Sequence, residues 1–148
     1  MNQATDSRLT SEEEYRNIFE AASEALVIYD TEIGLVVEAN PTACEMYGYT
    51  RQEFVGLNPK VFMHPESHAL FREHIRTAEP GGMLELLVVH IHKDGSPFHV
   101  EVRRSMINYR GRPCLLSTIR DVSQRIQTEK TLSEQIEARR REQATLLA

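Results

Sequence analysis

The histidines are the side chains of this sequence with the clearest capacity for chemistry. His64 and His68 are spaced i, i+4, which places two imidazoles on one face of a helix and in principle lets them share a zinc ion. A zinc site needs at least three protein ligands, and no third ligand lies near them in the sequence. A solvated helix face is therefore the favoured interpretation, and no metal site is predicted.

His90 and His92 form a second pair, in an apolar segment that has the character of a strand. Because alternate residues of a strand point to the same face, one face of this strand is unexpectedly polar. A buried histidine needs a hydrogen-bond partner, which is another side chain, a water molecule or a ligand. The residue pattern leaves these three possibilities open.

The two cysteines, Cys44 and Cys114, are weaker candidates for chemistry than the histidines. Two are too few for a disulfide framework and they have no C-x-x-C spacing, so both are interpreted as small buried hydrophobes. The sequence contains no Gly-x-Ser-x-Gly elbow, no Walker loop and no histidine-kinase phosphoacceptor box. We therefore expect that this chain is not an enzyme.

Composition restricts the partners and the compartment. The chain has 148 residues, 41% of them hydrophobic, and a net charge of −5. That length favours one domain with a short appendage, and the negative charge removes the electrostatic basis for general nucleic-acid binding. No apolar run is long enough to span a membrane, and the N-terminus lacks a signal-peptide core. We expect a cytoplasmic protein without nucleic-acid or membrane partners.

The elements that must position these residues begin with a helix. Residues 1–10 are polar and aperiodic, which predicts a disordered leader. Ser11 and Glu14 then form a capping box, and four apolar residues fall on one face of the helix that follows. These four are Tyr15, Ile18, Phe19 and Ala22.

Five strands and several short helices come next. Asn40 is a good N-cap for a helix that Gly48 ends, Thr50 and Glu53 form a second capping box, and Pro65 opens a longer helix. The predicted strands are residues 25–29, 35–37, 83–92, 98–103 and 114–119. The first two are separated from the rest by the helices and must pair with the later strands. The predicted fold class is α+β, an antiparallel sheet with helices on one face.

The C-terminal segment lacks glycine and proline from Val122 onward and predicts a helix of roughly 39 Å at 1.5 Å per residue. Such a helix is too long to pack wholly on its own domain. Its coiled-coil pattern is mixed, which favours at most a weak parallel coiled coil. The apolar residues at a and d positions are Val122, Leu132, Ile136 and Leu146. We expect a domain over 11–122 and a helical linker over 123–148 leading to an output domain outside this sequence.

Four motifs in this order resemble those of PAS domains, the sensor modules of bacterial signalling proteins. The motifs are NPTACEMYGYTRQEFVG (40–56), HPES (64–67), KDGSPF (93–98) and IRDVSQR (119–125). The resemblance covers roughly residues 12–125 and implies a five-stranded antiparallel sheet with helices that cup one face around a small molecule. It also implies a dimer formed through the flanking helices, which passes a signal along a C-terminal coiled coil.

The resemblance places His90 inside that cup, where a small polar or anionic ligand is the sharpest hypothesis and a partner within the protein is the alternative. The pocket candidates are His90, Val100, Ile119, Leu57, Met63 and Phe71. Asp121-Val122-Ser123 stands at the position of the family's Asp-Ile-Thr relay motif. Asp121 or Ser123 could cap the last helix and Asp121 could pair with Arg125, so these three residues are the candidate signal relay.

Two cofactors are disfavoured by the same comparison. Flavin-binding light-oxygen-voltage domains have a reactive cysteine where this chain has Pro59, and flavin-binding amides where it has His90, Val100 and Ile119. Haem-binding relatives have a proximal histidine on the middle helix, and His68 is one position off that register, a rotation of about 100°. The identity of any ligand therefore stays open.

Together these observations predict a sensor and dimerisation module of a cytoplasmic signalling protein, such as the sensor histidine kinase of a two-component system. The state of its pocket would bias the C-terminal output helix. The first alternative is a ligand-free module for protein–protein interaction and dimerisation, and the second is a haem-based gas sensor. The expected partners are a second copy of the chain and a small molecule.

Overall fold

The computed structural model describes the backbone of residues 3–147 and the side chains of residues 11–147. The helices are α1 (Gln3–Ala21), α2 (Pro41–Tyr47), α3 (Arg51–Phe54), α4 (His68–Thr77) and α5 (Ser123–Leu147), with short 3-10 turns at Pro59–Val61 and Pro65–Ser67. The strands are β1 (Ala25–Asp30), β2 (Leu35–Ala39), β3 (Met83–Ile91), β4 (Pro97–Tyr109) and β5 (Arg112–Asp121).

The five strands form one antiparallel sheet in the order β2-β1-β5-β4-β3. β1 pairs with β5, with Ile28 opposite Leu116, so the first hairpin joins the later strands as predicted. The α+β fold class is confirmed. β4 and β5 are longer than predicted because they pair continuously from Val100 opposite Asp121 to Tyr109 opposite Arg112.

Two clusters of buried side chains lie on the two faces of the sheet. The larger cluster fills the space between the inner face and the helices α2 to α4. The smaller cluster gathers Phe19 of α1, Ile28 and Cys114 on the outer face. Within residues 3–147, no helix combines the length and the apolar character needed to cross a bilayer.

The first helix starts earlier than predicted. It begins at Gln3, so residues 3–10, which we expected to be a disordered leader, are helical, and residues 1–2 lie outside the described part. No glycine or proline interrupts this stretch, and Ser11 therefore lies within the helix rather than capping its start. The predicted apolar face is mostly uncovered, since Phe19 is buried but Ile18 is 71% exposed.

The local signals between β2 and β3 are confirmed more closely. The Asn40 side chain accepts a hydrogen bond from the Ala43 amide at the start of α2, and Gly48 ends the helix with a positive φ of 84°. Thr50 and Glu53 form the predicted reciprocal capping box of α3. Pro65 opens a 3-10 turn, and the longer helix begins after it at His68.

Candidate functional site

A small cavity lies between the inner face of the sheet and the segment that runs from Pro59 to Phe71. We call this cavity the cup. Its volume is about 20 Å³, which is enough for roughly one water molecule. Most of its lining is apolar, and the polar side chains that reach it are Tyr29, His90, Arg104 and Ser117.

His90 is held in the cup by β3 and by the segment that crosses it. The Ile91 amide donates to the Phe62 carbonyl at 2.8 Å, and the His90 side chain is only 2% exposed. Its ring lies 5.7 Å from the Tyr47 ring and 5.8 Å from the Phe62 ring, measured between centroids. Burial among these groups lowers the pKa of His90 to about 3, so its imidazole is neutral at physiological pH.

One nitrogen of the His90 ring is paired and the other is not. The Tyr47 hydroxyl lies 2.6 Å from Nδ1. Within residues 11–147, Nε2 is the one fully buried side-chain polar atom without a hydrogen bond. If Nδ1 carried the proton, both Nε2 and the Tyr47 hydroxyl hydrogen would lack partners. Donation from Tyr47 to Nδ1 leaves a single unpaired group, so we assign the ring proton to Nε2, on a side chain that lines the cup.

Arg104 brings a positive charge to the same cavity. It follows Val100 and Val102 at alternate positions of β4 and is 6% exposed. Its guanidinium lies 4.9 Å from the centroid of the Phe71 ring, a favourable cation–π distance. Burial lowers the pKa of Arg104 to about 10, so the side chain stays charged at neutral pH.

The charge of Arg104 has no counter-ion in the described part of the chain. Its closest polar side-chain contact is between Nη1 and Nδ1 of His74, at 3.4 Å. The pKa of His74 is lowered, chiefly by burial and then by Arg104 itself, which favours the neutral form of His74 at physiological pH. No carboxylate among residues 11–147 forms an ion pair with Arg104. A buried charge without a partner is costly, which makes this arginine the least compensated group of the cup.

The structure places the six pocket candidates in two positions. Four of them line the cup, namely His90, Ile119, Met63 and Phe71. Leu57 and Val100 pack in the adjoining core without reaching the cavity.

The sequence analysis did not identify two residues of this region, Arg104, which lines the cup, and Tyr47, which pairs with His90. The signal for Arg104 was the alternation that buries Val100 and Val102. Tyr47 lies one helical turn after Ala43, on the buried side of α2.

The other histidines weighed as ligands have local partners. His64 Nδ1 accepts from the Glu66 amide at 3.2 Å, and His68 Nε2 lies 3.1 Å from the Lys60 carbonyl oxygen. His92 lies beyond the end of β3, with Nδ1 3.2 Å from the Asp94 carboxylate. None of these three reaches the cup.

The junction between β5 and α5 is hydrogen-bonded to His99 of β4. The Val122 amide donates to the His99 carbonyl at 3.0 Å, and the His99 amide donates to the Ser123 hydroxyl at 2.9 Å. The Asp121 carboxylate accepts from the Ser123 amide at 3.0 Å, which caps the start of α5. The sequence predicted a cap from Asp121 or Ser123, and the structure shows that Asp121 supplies it while the Ser123 hydroxyl bonds to His99 instead.

The expected pair between Asp121 and Arg125 does not form. Arg125 Nη2 lies 3.2 Å from Oε2 of Glu101 on β4, and its Nε lies 3.9 Å from Glu129. The carboxylate of Asp121 is turned to the Ser123 amide, while Glu101 projects from the neighbouring strand toward α5. The first turn of α5 is thus tied to β4 rather than to its own capping residue.

Beyond this junction, the described part of the chain leaves α5 exposed. None of its residues 123–147 is buried. Leu132 and Ile136, at the predicted d and a positions, are each about half exposed.

Comparison with known proteins agrees with this architecture. A family model described as the PAS fold matches residues 13–122. The methyl sulfide methyltransferase-associated sensor of Methanosarcina acetivorans is 24% identical over 127 residues, which are 86% of this chain and 13% of that protein. A second curated relative is matched over 18% of its length, so the chain spans less than a fifth of either.

Solved structures show the same fold. The PAS domain of an HTR-like protein from Haloarcula marismortui superposes with a TM-score of 0.71 at 19% identity, over 82% of this chain and 99% of that one. A PAS domain from a two-component sensor histidine kinase superposes with a TM-score of 0.64 at 20% identity, over 78% and 98%. Since the family model spans most of the residues that build the sheet, the helices and the cup, the chain belongs to the PAS-fold family.

Proposed function

We propose that the chain is the sensory and dimerisation module of a signalling protein, in which the state of the cup biases the orientation of α5. In this proposal residues 11–122 form the sensory domain, and the segment from residue 123 onward, which contains α5, is the linker to an output domain. A curated relative is named as a sensor, and a similar structure comes from a two-component sensor histidine kinase. The proposed role is non-catalytic, in a cytoplasmic setting without a membrane partner, and the net negative charge of −5 disfavours nucleic-acid binding.

The observation that carries the proposal is that β4 contacts both the cup and the first turn of α5. Val102 and Arg104 on its inner side line the cup. His99 and Glu101, on the alternate positions, hold the first turn of α5. A shift of β4 caused by the cup therefore moves the contacts that orient α5. Signal transfer requires an element that contacts both sites and has two arrangements, and β4 meets the first of these conditions.

The proposed dimer forms through the flanking helices. Leu132 and Ile136 on α5 and Ile18 on α1 are apolar side chains of which about half or more is exposed. A second copy would bury the α5 residues as a short parallel coiled coil. Replacing Leu132 and Ile136 together by Lys should therefore shift sedimentation equilibrium toward the monomer.

A matched variant controls for added charge in that experiment. Gln127 and Thr131, also on α5, occupy positions outside the a and d seam, and replacing both by Lys changes the net charge equally. This control should sediment like the wild type. Equal dissociation of both variants, or a monomeric wild type at every concentration, would contradict dimerisation through α5.

The coupling is tested by changing the junction and observing the cup, because coupling between two sites is reciprocal. The double variant Ser123→Ala/Arg125→Gln removes the side-chain contacts to His99 and Glu101. Its expected effect is a change in the ¹⁵N chemical shifts of the His90 ring, which report the environment of the cup.

The control for this experiment is Arg76→Gln. Arg76 pairs with Glu73 on the surface of α4, and its loss removes an ion pair without touching the junction. The His90 ¹⁵N signals should be unchanged in this variant. If the junction variant and the control leave His90 equally unchanged, the cup and α5 are independent and the proposal is wrong.

One observation favours a second candidate function, a ligand-free interaction module. The cup has a volume of only about 20 Å³, and its side chains already fill most of the space. Native mass spectrometry after gentle purification separates the two candidates. A retained small molecule supports the sensor, and a bare dimer supports the interaction module.

A further inference from the structure

The cup presents hydrogen-bond donors and no charged acceptor. Arg104 contributes a guanidinium with several N–H groups, of which the neutral His74 ring engages one nitrogen. His90 contributes the unpaired Nε2–H. No acidic side chain is among the residues that line the cavity. The ligand that completes this set must supply acceptors, and one negative charge balances the one positive charge.

Arg104 also stands at the boundary between the cup and the solvent. An open cleft of about 240 Å³ lies on its other side, between the end of α4, the start of β3 and β4. Residues that border the cleft include His74, Thr77, Gly82, Met83 and Met106. Arg104 and Leu115 are the two residues that line both the cleft and the cup. A molecule that passes from the cleft into the cup therefore meets Arg104 and Leu115, and Arg104 is the charged one of the two.

Resting on the proposed sensor function, we infer that the cup binds a small monocarboxylate with a short apolar body and a carbonyl oxygen at its far end. The planar guanidinium of Arg104 pairs with the carboxylate, since the two groups match in geometry and charge. The apolar body lies against Val102 and Ile119, and Nε2–H of His90 donates to the carbonyl oxygen. Because the cup holds only about one water molecule, binding displaces the Arg104–Phe71 contact and opens the cup toward the cleft.

The probe is 4-oxopentanoate, which carries a carboxylate, two methylene groups and a ketone. Isothermal titration calorimetry of the whole chain measures its affinity. The charged pair predicts that Arg104→Gln weakens binding roughly 10- to 100-fold. Arg103→Gln is the matched control, because Arg103 is the neighbouring arginine of β4 and its side chain is exposed on the opposite face. This control should bind like the wild type.

A second measurement needs no variant and so does not depend on Arg104→Gln folding. The uncharged amide, 4-oxopentanamide, should bind the wild type at least roughly tenfold more weakly than the acid, since it cannot pair with the guanidinium. Saturation with the acid should shift the ¹⁵N signal of His90 Nε2, because that group gains an acceptor. Pentanoate, which has no ketone, should leave this signal closer to its free position.

Three results would overturn the inference. They are no binding of 4-oxopentanoate in the millimolar range, equal affinity for the acid and the amide, and undiminished binding by folded Arg104→Gln. None of them affects the junction experiment on Ser123 and Arg125, which needs no ligand. Failure of that experiment with intact carboxylate binding would instead reject the sensor function and keep the site.

Discussion

Two buried polar centres on opposite halves of the sheet differ in how completely they are satisfied. The first lies at the β1–β2 end, where the Asn40 side chain makes four hydrogen bonds. Its Oδ1 accepts from the amides of Leu26 and Ala43, both at 2.9 Å. Its Nδ2 donates to the carbonyls of Phe19 and Glu24. One side chain thus joins α1, β1 and α2 with nothing left unpaired.

Asp30 lies in the same half of the sheet, and both of its carboxylate oxygens also have partners. It is almost fully buried, and its Oδ1 accepts from the amides of Glu32 and Ile33 in the β1–β2 turn. Its Oδ2 pairs with Arg112 at the start of β5. Buried polar groups with all partners present specify a unique local structure.

The second centre, formed by His90 and Arg104, is incomplete. His90 has one hydrogen bond for two ring nitrogens, and Arg104 has a neutral partner for its charge. The contrast teaches that the first centre fixes the fold, whereas the second retains unfilled hydrogen-bonding capacity at the position where a ligand would bind.

The sharpest way to test the contrast is to remove Asn40. Asn40→Ala leaves buried donors and acceptors without partners at four places, and each orphan costs about 1–3 kcal/mol. Some relaxation and water entry will reduce the sum, so we expect a loss of roughly 3–5 kcal/mol in the free energy of unfolding, measured by urea denaturation.

Asn58→Ala is the matched control for Asn40. Asn58 is an exposed cap whose side chain accepts a single hydrogen bond, from the Lys60 amide at 3.1 Å, and its loss should cost about 1 kcal/mol or less. If the two alanine variants were equally stable, the completeness of the Asn40 network would have no special structural value.

Asp30 should give a smaller effect that depends on pH. Its hydrogen bond to Arg112, with the two turn amides, lowers the pKa of the Asp30 carboxyl in the folded state. Because the folded pKa lies below the unfolded one, the stabilisation is fully present above about pH 4 and is lost as the pH falls through the folded pKa.

The comparison variant is Asp30→Asn, which lacks the titration. Urea denaturation should show the wild type more stable at neutral pH and the difference shrinking under acid conditions. Arg112→Gln should remove the larger share of the same pH-dependent stabilisation, since the two turn amides remain. The effects of Asp30→Asn and Arg112→Gln on the free energy of unfolding should not be additive in the double variant. A difference between wild type and Asp30→Asn that stays constant down to acid pH would contradict the role assigned to the carboxylate.

The smallest stability effect is expected in the cup. Tyr47→Phe with His90→Phe replaces a hydrogen-bonded pair by two apolar rings within an aromatic cluster and removes the orphan Nε2. Replacing both partners of a buried hydrogen bond by apolar groups is close to neutral, so we expect a change within about 1 kcal/mol. Tyr47→Phe alone should be less stable than the pair, because it leaves Nδ1 of His90 unpaired. If the double variant lost as much free energy of unfolding as Asn40→Ala, the Tyr47–His90 pair would be needed for the stability of the fold, which would contradict the contrast.

Local sequence signals predicted much of the fold. The caps at Asn40 and Thr50 depend on contacts within a few residues, so the residue types alone locate the starts of α2 and α3. The alternation of β3 placed His90 on a distinct face, and the family resemblance placed it in the cup. The order of elements required the first hairpin to pair with the later strands.

The interactions that were missed join residues far apart in the chain. Tyr47 meets His90 across 43 positions, and Arg125 meets Glu101 across 24, which no spacing rule predicts. Arg104 lies on the same face of β4 as the buried residues Val100 and Val102. Its burial was not predicted, because charged residues are rarely buried and usually indicate that a buried face has ended. The early start of α1 was missed because a capping-box pattern at Ser11 is also compatible with a helix interior.

The central claim is that β4 transmits the state of the cup to α5. Val102 and Val36 allow a matched test because both are fully buried valines that line the cup. Val102 lies on β4, whereas Val36 lies on β2 at the far edge of the sheet. Each is changed to Ala, and amide hydrogen exchange is measured at the first turn of α5, with global stability determined for both variants.

The amides to follow are those of Val122, Ser123 and Ile126, which are hydrogen-bonded at this junction. After correction for global stability, Val102→Ala should lower their protection and Val36→Ala should leave it at the wild-type level. Equal protection in both variants would show that the cup does not communicate with α5 through β4, and would contradict the account.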